Sequence, residues 1–126
     1  MSNSTPSQQS TSSSWVVLKF GGTSVSSVAN WNNIASIVKS RLSEGLRPVI
    51  VHSAISKMTD SLELLLNRAL KGDWESVLEG IINRHRELAR EMGVSISPEL
   101  DEQFSRLRQI ASGIALVGEV SERLRA

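Results

Sequence analysis

One lysine and two glycines carry the chemistry nearest the N-terminus. In Trp15-Val16-Val17-Leu18-Lys19-Phe20-Gly21-Gly22-Thr23-Ser24-Val25, an apolar run holds Lys19 near its end and breaks at the glycine pair. Two small hydroxyl residues follow. Glycines, lacking Cβ, let backbone N–H groups approach an anion closely. A helix starting just afterwards would aim the partial positive end of its dipole at the same place. Lys19 supplies a full positive charge on a flexible stem. The pattern describes a polyphosphate cradle with its own cation. The plainer alternative is a tight turn whose lysine extends into solvent. Neither G-x-x-x-x-G-K-S/T nor G-x-G-x-x-G occurs in the chain.

A second chemical stretch is Ser53-Ala54-Ile55-Ser56-Lys57-Met58-Thr59-Asp60. Thr59 suits the N-cap of a helix over Asp60–Leu70, a role that contributes about 1 kcal/mol by itself. The start of that helix would also attract a carboxylate. His52 stands at a strand end, but no serine and aspartate lie in register with it for acid–base work. His85 falls on an apolar helix face and reads as a core-boundary residue. Arg84, Arg86, Glu87, Arg90 and Glu91 read as a solvated helix face. Trp15, Trp31 and Trp74 read as packing residues, because no basic stripe accompanies them.

These groups must be positioned by a small α/β framework. The near-continuous apolar run Trp15–Phe20 predicts a parallel strand covered on both faces. A helix begins near Ser26 or Ser27, with a serine as N-cap, and buries Val28, Trp31, Ala35, Val38 and Leu42. Gly45 stops it. Arg47–Ser53 forms a second strand, and the strand–helix–strand order implies a right-handed parallel crossover. Both strands then end on one sheet edge, where open α/β sheets bind ligands. Three helices follow. The first buries Leu62, Leu65, Leu66 and Ala69 and ends at Gly72. The second, capped by Asp73, buries Leu78, Ile81, Ile82, His85, Leu88, Ala89 and Met92 and ends at Gly93. The third, entered through Pro98, buries Leu100, Phe104, Leu107, Ala111 and Ile114. The last two should form an antiparallel hairpin that projects from the sheet edge and covers the substrate side. Residues 1–14 form a Ser/Thr-rich tail, expected to be disordered.

Composition narrows the function classes. The chain has 126 residues, 40% of them apolar, a net charge of +1 and no cysteine. Interspersed charges argue against a nucleic-acid or membrane surface built on charge. The absence of cysteine excludes a disulfide framework and thiol chemistry and fits a reducing, cytoplasmic setting. No apolar run approaches the ~20 residues of a membrane span.

The string Lys19-Phe20-Gly21-Gly22-Thr23-Ser24-Val25 resembles the N-terminal signature of the aspartokinases, within the amino-acid kinase superfamily. The Ser-Ala loop ending in Thr59 is similar to a second aspartokinase motif, in which lysine or glycine stands at the position of Lys57. The resemblance runs from about Trp15 to Ala126. It implies the three-layer αβα sandwich of the amino-acid (carbamate) kinase type, with only the N-terminal part of the kinase domain present over 15–126. It also implies transfer of the ATP γ-phosphoryl group to the β-carboxylate of L-aspartate. That reaction opens lysine, threonine and methionine biosynthesis, by way of diaminopimelate in bacteria. Lys19 would stabilise charge on the transferred group. Gly21 and Gly22 amides, assisted by Thr23 and Ser24, would hold phosphate oxygens, and Mg²⁺ would bridge the nucleotide's phosphates. Thr59 and, more weakly, Ser53 would contact aspartate. No protein metal ligand is implied, and the full-length protein would be a homo-oligomer.

Gly118-Glu119 matches the family's substrate-binding Gly-Glu pair literally. The surrounding segment 113–121 instead resembles the helix end and new helix start that precede that pair, so Glu119 is left out of the expected site. The family's later Gly-rich stretch with its catalytic aspartate has no counterpart in the chain, and the chain stops within a helical pattern. The expectation is therefore a fragment or truncated product that is inactive alone. The alternative from another class is a non-catalytic α/β interaction module.

Overall fold

The computed structural model describes residues 14–126, so the tail expected over residues 1–14 lies, Ser14 apart, outside the described residues. The chain divides into two compact units between Ile55 and Ser56.

In the first unit, β1 (Trp15–Phe20) pairs in parallel with β2 (Arg47–His52), Trp15 opposite Arg47 and Phe20 opposite His52. Between them runs helix α1 (Val28–Ser43). Its start is local chemistry: the Ser27 hydroxyl accepts a hydrogen bond from the Asn30 amide at 3.2 Å. It stops at Glu44, and Gly45 follows at φ 81°, a left-handed conformation that glycine adopts without strain.

Burial departs from expectation in two places. β1 alternates: Val16, Leu18 and Phe20 are partly covered, whereas Trp15 and Val17 are 59% and 65% exposed. Because paired residues of a parallel ladder share a face, Val49 and Val51 lie on that open side and are exposed too. The described residues of this unit therefore make two layers, sheet and helix. The third layer of the expected sandwich is not among them, and the strands are not covered on both faces. In α1, Ala35 and Leu42 are exposed, and the most buried residue is Ile34, 4% exposed. The inward stripe runs through Trp31, Ile34 and Val38: Trp31 and Val38 hold their expected places and Ile34 replaces Ala35, a rotation of about half a residue, or ~50°.

The second unit is helical: α2 (Met58–Lys71), α3 (Glu75–Met92), α4 (Pro98–Val117) and the short α5 (Glu122–Arg125). α2 packs against both α3 and α4. The hairpin of α3 and α4 is antiparallel, because His85 meets Phe104 edge-on at 5.4 Å while Glu79, further back, pairs with Arg108, further on. Its core is Leu65, Ala69, Leu78, Ile81, Ile82, Phe104, Ala111 and Ile114. Gly72, Gly93 and Gly118 each close a helix in the left-handed conformation. Ser121 then caps α5 through the Leu124 amide, so residues 113–121 are a helix end and a new helix start, as read from the sequence. Asp73 does not cap α3. Its carboxylate accepts from Arg68 at 2.8 Å, and Trp74 holds the cap position. Arg84, Arg86, Glu87, Arg90 and Glu91 are all exposed, and the Glu87 hydrogen bond and charge raise the Arg90 guanidinium pKa above its ordinary value.

Candidate functional site

Parallel pairing brings the ends of both strands to one edge. There the Ser53 amide donates to the Phe20 carbonyl at 3.1 Å, extending the ladder past His52. Gly21 follows Phe20 directly, so Ser53 stands beside the start of the glycine turn. Lys19 is exposed, one residue before the end of β1, on the open face with Trp15 and Val17. Among the described residues no carboxylate pairs with it.

The turn itself is a run of three successive bonds: Ser24 N–H to Gly21 C=O at 3.1 Å, Val25 N–H to Gly22 C=O at 3.3 Å, and Ser26 N–H to Thr23 C=O at 3.4 Å. The amides of Gly21, Gly22 and Thr23 stand outside that series, as the first N–H groups of a helical turn do. Apart from its two chain neighbours, nothing lies within 4 Å of where a Cβ on Gly21 would sit, so the space on that side of Gly21 is open. Thr23 is exposed and Ser24 half-buried. Val25, 2% exposed, anchors the far end of the turn. A cation, three amides left out of the turn's own bonds and two hydroxyls within six residues make a donor set suited to phosphate oxygens.

The start of α2 differs from expectation. The helix begins at Met58 rather than Asp60, and Lys57 takes the cap position at φ 65° with no side-chain cap. Thr59 therefore does not cap the helix; it lies in the first turn, exposed. Met58 is buried, which explains the earlier start: the helix is anchored by its first side chain rather than by a hydroxyl. Thr59 lines a groove of about 320 Å³ together with Leu62, Glu63, Leu66, Leu107 and Arg125. The Arg125 guanidinium hydrogen-bonds the Glu63 carboxylate across it. Thr59 and Lys19 belong to different units, so the six residues gathered on one edge are Lys19, Gly21, Gly22, Thr23, Ser24 and Ser53.

Two further residues of α1 take part in the turn, a role their types alone do not signal. Asn30 donates from its side chain to the Thr23 carbonyl at 2.9 Å, and the Trp31 indole N–H donates to the Val25 carbonyl at 2.8 Å. The available signal was position: both fall in the first turn of α1, where side chains reach back to the preceding loop. His52 packs edge-on against Trp31 at 6.0 Å, and its Nδ1 lies 2.9 Å from the Ser53 carbonyl.

Residues 14–124 match the amino acid kinase family. The chain is 33% identical over 115 residues to the chloroplastic bifunctional aspartokinase/homoserine dehydrogenase 2 of Arabidopsis thaliana, an alignment covering 86% of this chain and 12% of that protein. It is 31% identical to the chloroplastic aspartokinase 2 of Arabidopsis thaliana, over 86% of this chain and 20% of the relative. Against the aspartokinase of Chlamydia trachomatis the identity is 32%, over 77% and 22%. The chain thus spans between about an eighth and just over a fifth of the length of these relatives. With the strand–lysine–glycine turn and this match over nearly all described residues, the chain belongs to the amino acid kinase family and is of the aspartokinase type.

Proposed function

We propose that this chain carries the phosphate-binding portion of an aspartate kinase, which moves the ATP γ-phosphoryl group to the β-carboxylate of L-aspartate. The observation that supports it most is the exposed Lys19 beside a glycine turn that has open space at Gly21 and whose first three amides take no part in the turn's own bonds. Both reactants are anions, so the protein's task is positioning and charge neutralisation. Lys19 would offset charge on the transferred phosphoryl. Gly21 and Gly22 amides would hold phosphate oxygens, with Thr23 and Ser24 assisting. Mg²⁺, arriving with the nucleotide, would neutralise part of its charge. Thr59 and Ser53 would contact aspartate. Residues 15–126 act as part of a larger kinase domain, homo-oligomeric and cytoplasmic, and are inactive alone.

Replacing the matching segment of the Chlamydia trachomatis aspartokinase with residues 15–126 and measuring aspartate-dependent ADP release tests this. The chimera turns over, and Lys19→Ala lowers turnover by about 100- to 1,000-fold. A folded chimera equally active with and without Lys19 contradicts it. The exposed Trp15, Val17, Val49 and Val51 favour a second reading, a non-catalytic interaction module. Concentration-dependent association of the chain, together with an inactive chimera, would favour that reading.

A further inference from the structure

The carbonyls of the glycine turn are tied down from the α1 side. The Ser26 hydroxyl donates to Gly22 C=O, the Asn30 side-chain amide to Thr23 C=O at 2.9 Å, and the Trp31 indole to Val25 C=O at 2.8 Å. Together with the turn's own amide bonds, every carbonyl from Gly21 to Thr23 has a donor, two of them from side chains. In a trans peptide the C=O of one residue and the N–H of the next point in opposite directions within one plane. Pinning the Gly21 carbonyl therefore directs the Gly22 N–H the other way, and pinning the Gly22 carbonyl does the same for Thr23. The turn is held with its acceptors inward and its donors outward, before any anion arrives. His52, edge-on to Trp31, restricts rotation of the indole.

We propose that Asn30 and Trp31 are positioning residues for anion binding at this turn, acting through the Thr23 and Val25 carbonyls without touching phosphate. The inference rests on the phosphate reading above. Preorganised donors bind without the cost of ordering the loop at the moment of binding. The Thr23 carbonyl shares its peptide plane with the Ser24 N–H, which holds the Gly21 carbonyl, and the Val25 carbonyl shares its plane with the Ser26 N–H, which holds the Thr23 carbonyl; the loss of either clamp therefore loosens the series of bonds that sets the Gly22 amide.

The experiment titrates the 126-residue chain with inorganic tripolyphosphate at low ionic strength, using calorimetry for affinity and nitrogen-15 amide shifts for location. Trp31→Phe keeps a ring against His52 and removes only the N–H donor; Asn30→Ala removes the other. Each is expected to weaken tripolyphosphate binding about fivefold, the size of one lost neutral hydrogen bond. Asn30→Gln, which keeps the donor, restores affinity to within about twofold, a rescue that a purely packing role would not produce. Far-UV circular dichroism confirms that each variant is folded at the temperature used. If the unsubstituted chain binds and Trp31→Phe and Asn30→Ala bind equally well, the positioning role is overturned and the phosphate reading stands. If the unsubstituted chain does not bind, the phosphate reading falls, and the clamp's purpose with it.

Discussion

The two turns that leave the strand ends are built in opposite ways. After β1, the turn enters a helix capped by Ser27, and side chains of Ser26, Asn30 and Trp31 hold its carbonyls. After β2, the chain enters α2 through Lys57 in the left-handed region, with no side-chain cap. The first turn satisfies its acceptors internally and leaves donors outward. The second leaves its first helical amides to solvent or ligand, and only the Asp60 carboxylate favours the positive end of the helix dipole. The difference separates a turn whose carbonyls are held by side chains, the proposed anion cradle, from a helix start that no side chain caps.

The largest effect that sharpens this contrast is at Lys19. In a full-length enzyme carrying this segment, Lys19→Ala should lower phosphoryl transfer by about 100- to 1,000-fold, the range for losing one preorganised electrostatic donor. The unfolding midpoint should stay unchanged, because the side chain is exposed. Steady-state kinetics and a thermal melt check both parts. Next, Ser27→Ala should destabilise the chain by about 1 kcal/mol through loss of the cap, read as a lower urea midpoint at unchanged slope. Lys57→Gly should stabilise it by about 0.5–1 kcal/mol in the same measurement, because glycine adopts the left-handed conformation without the Cβ clash. A destabilised Lys57→Gly would mean that the lysine side chain holds the helix start. Smallest is Thr59→Ala: with no cap to lose, stability should move by less than about 0.5 kcal/mol. In the chimeric kinase the same substitution should raise the KM for aspartate while leaving that for ATP unchanged. A loss of about 1 kcal/mol would restore the capping role expected from the sequence.

How much of this was legible follows from how local each signal is. β1 was readable over Trp15–Phe20, as were the Ser27 cap and the stops at Gly45, Gly72 and Gly93. Each depends on a few adjacent residues with strong backbone preferences. Thr59 and Asp73 were misassigned for the same reason: both are good caps in isolation, but a buried Met58 and an Arg68 partner decided otherwise. The left-handed Lys57 carried no signal, because a lysine, unlike glycine or asparagine, does not announce a positive φ. Trp31 read as packing, and it does pack, on His52. Its donor reaches a carbonyl six residues back, a contact visible only once α1 and the turn are folded together. The open face of β1 and β2 was missed because an apolar strand reads the same whether a layer covers it or not.

The central claim is that the outward amides of Gly21, Gly22 and Thr23, with Lys19 beside them, receive phosphate. The most direct measurement is an amide-shift map of the 126-residue chain titrated with tripolyphosphate, recorded with and without Lys19→Ala. The largest shifts are expected at Gly21, Gly22 and Thr23, saturating together and strongly weakened by the substitution. Shifts centred on the exposed arginines of α3, with the glycine turn silent, would contradict it.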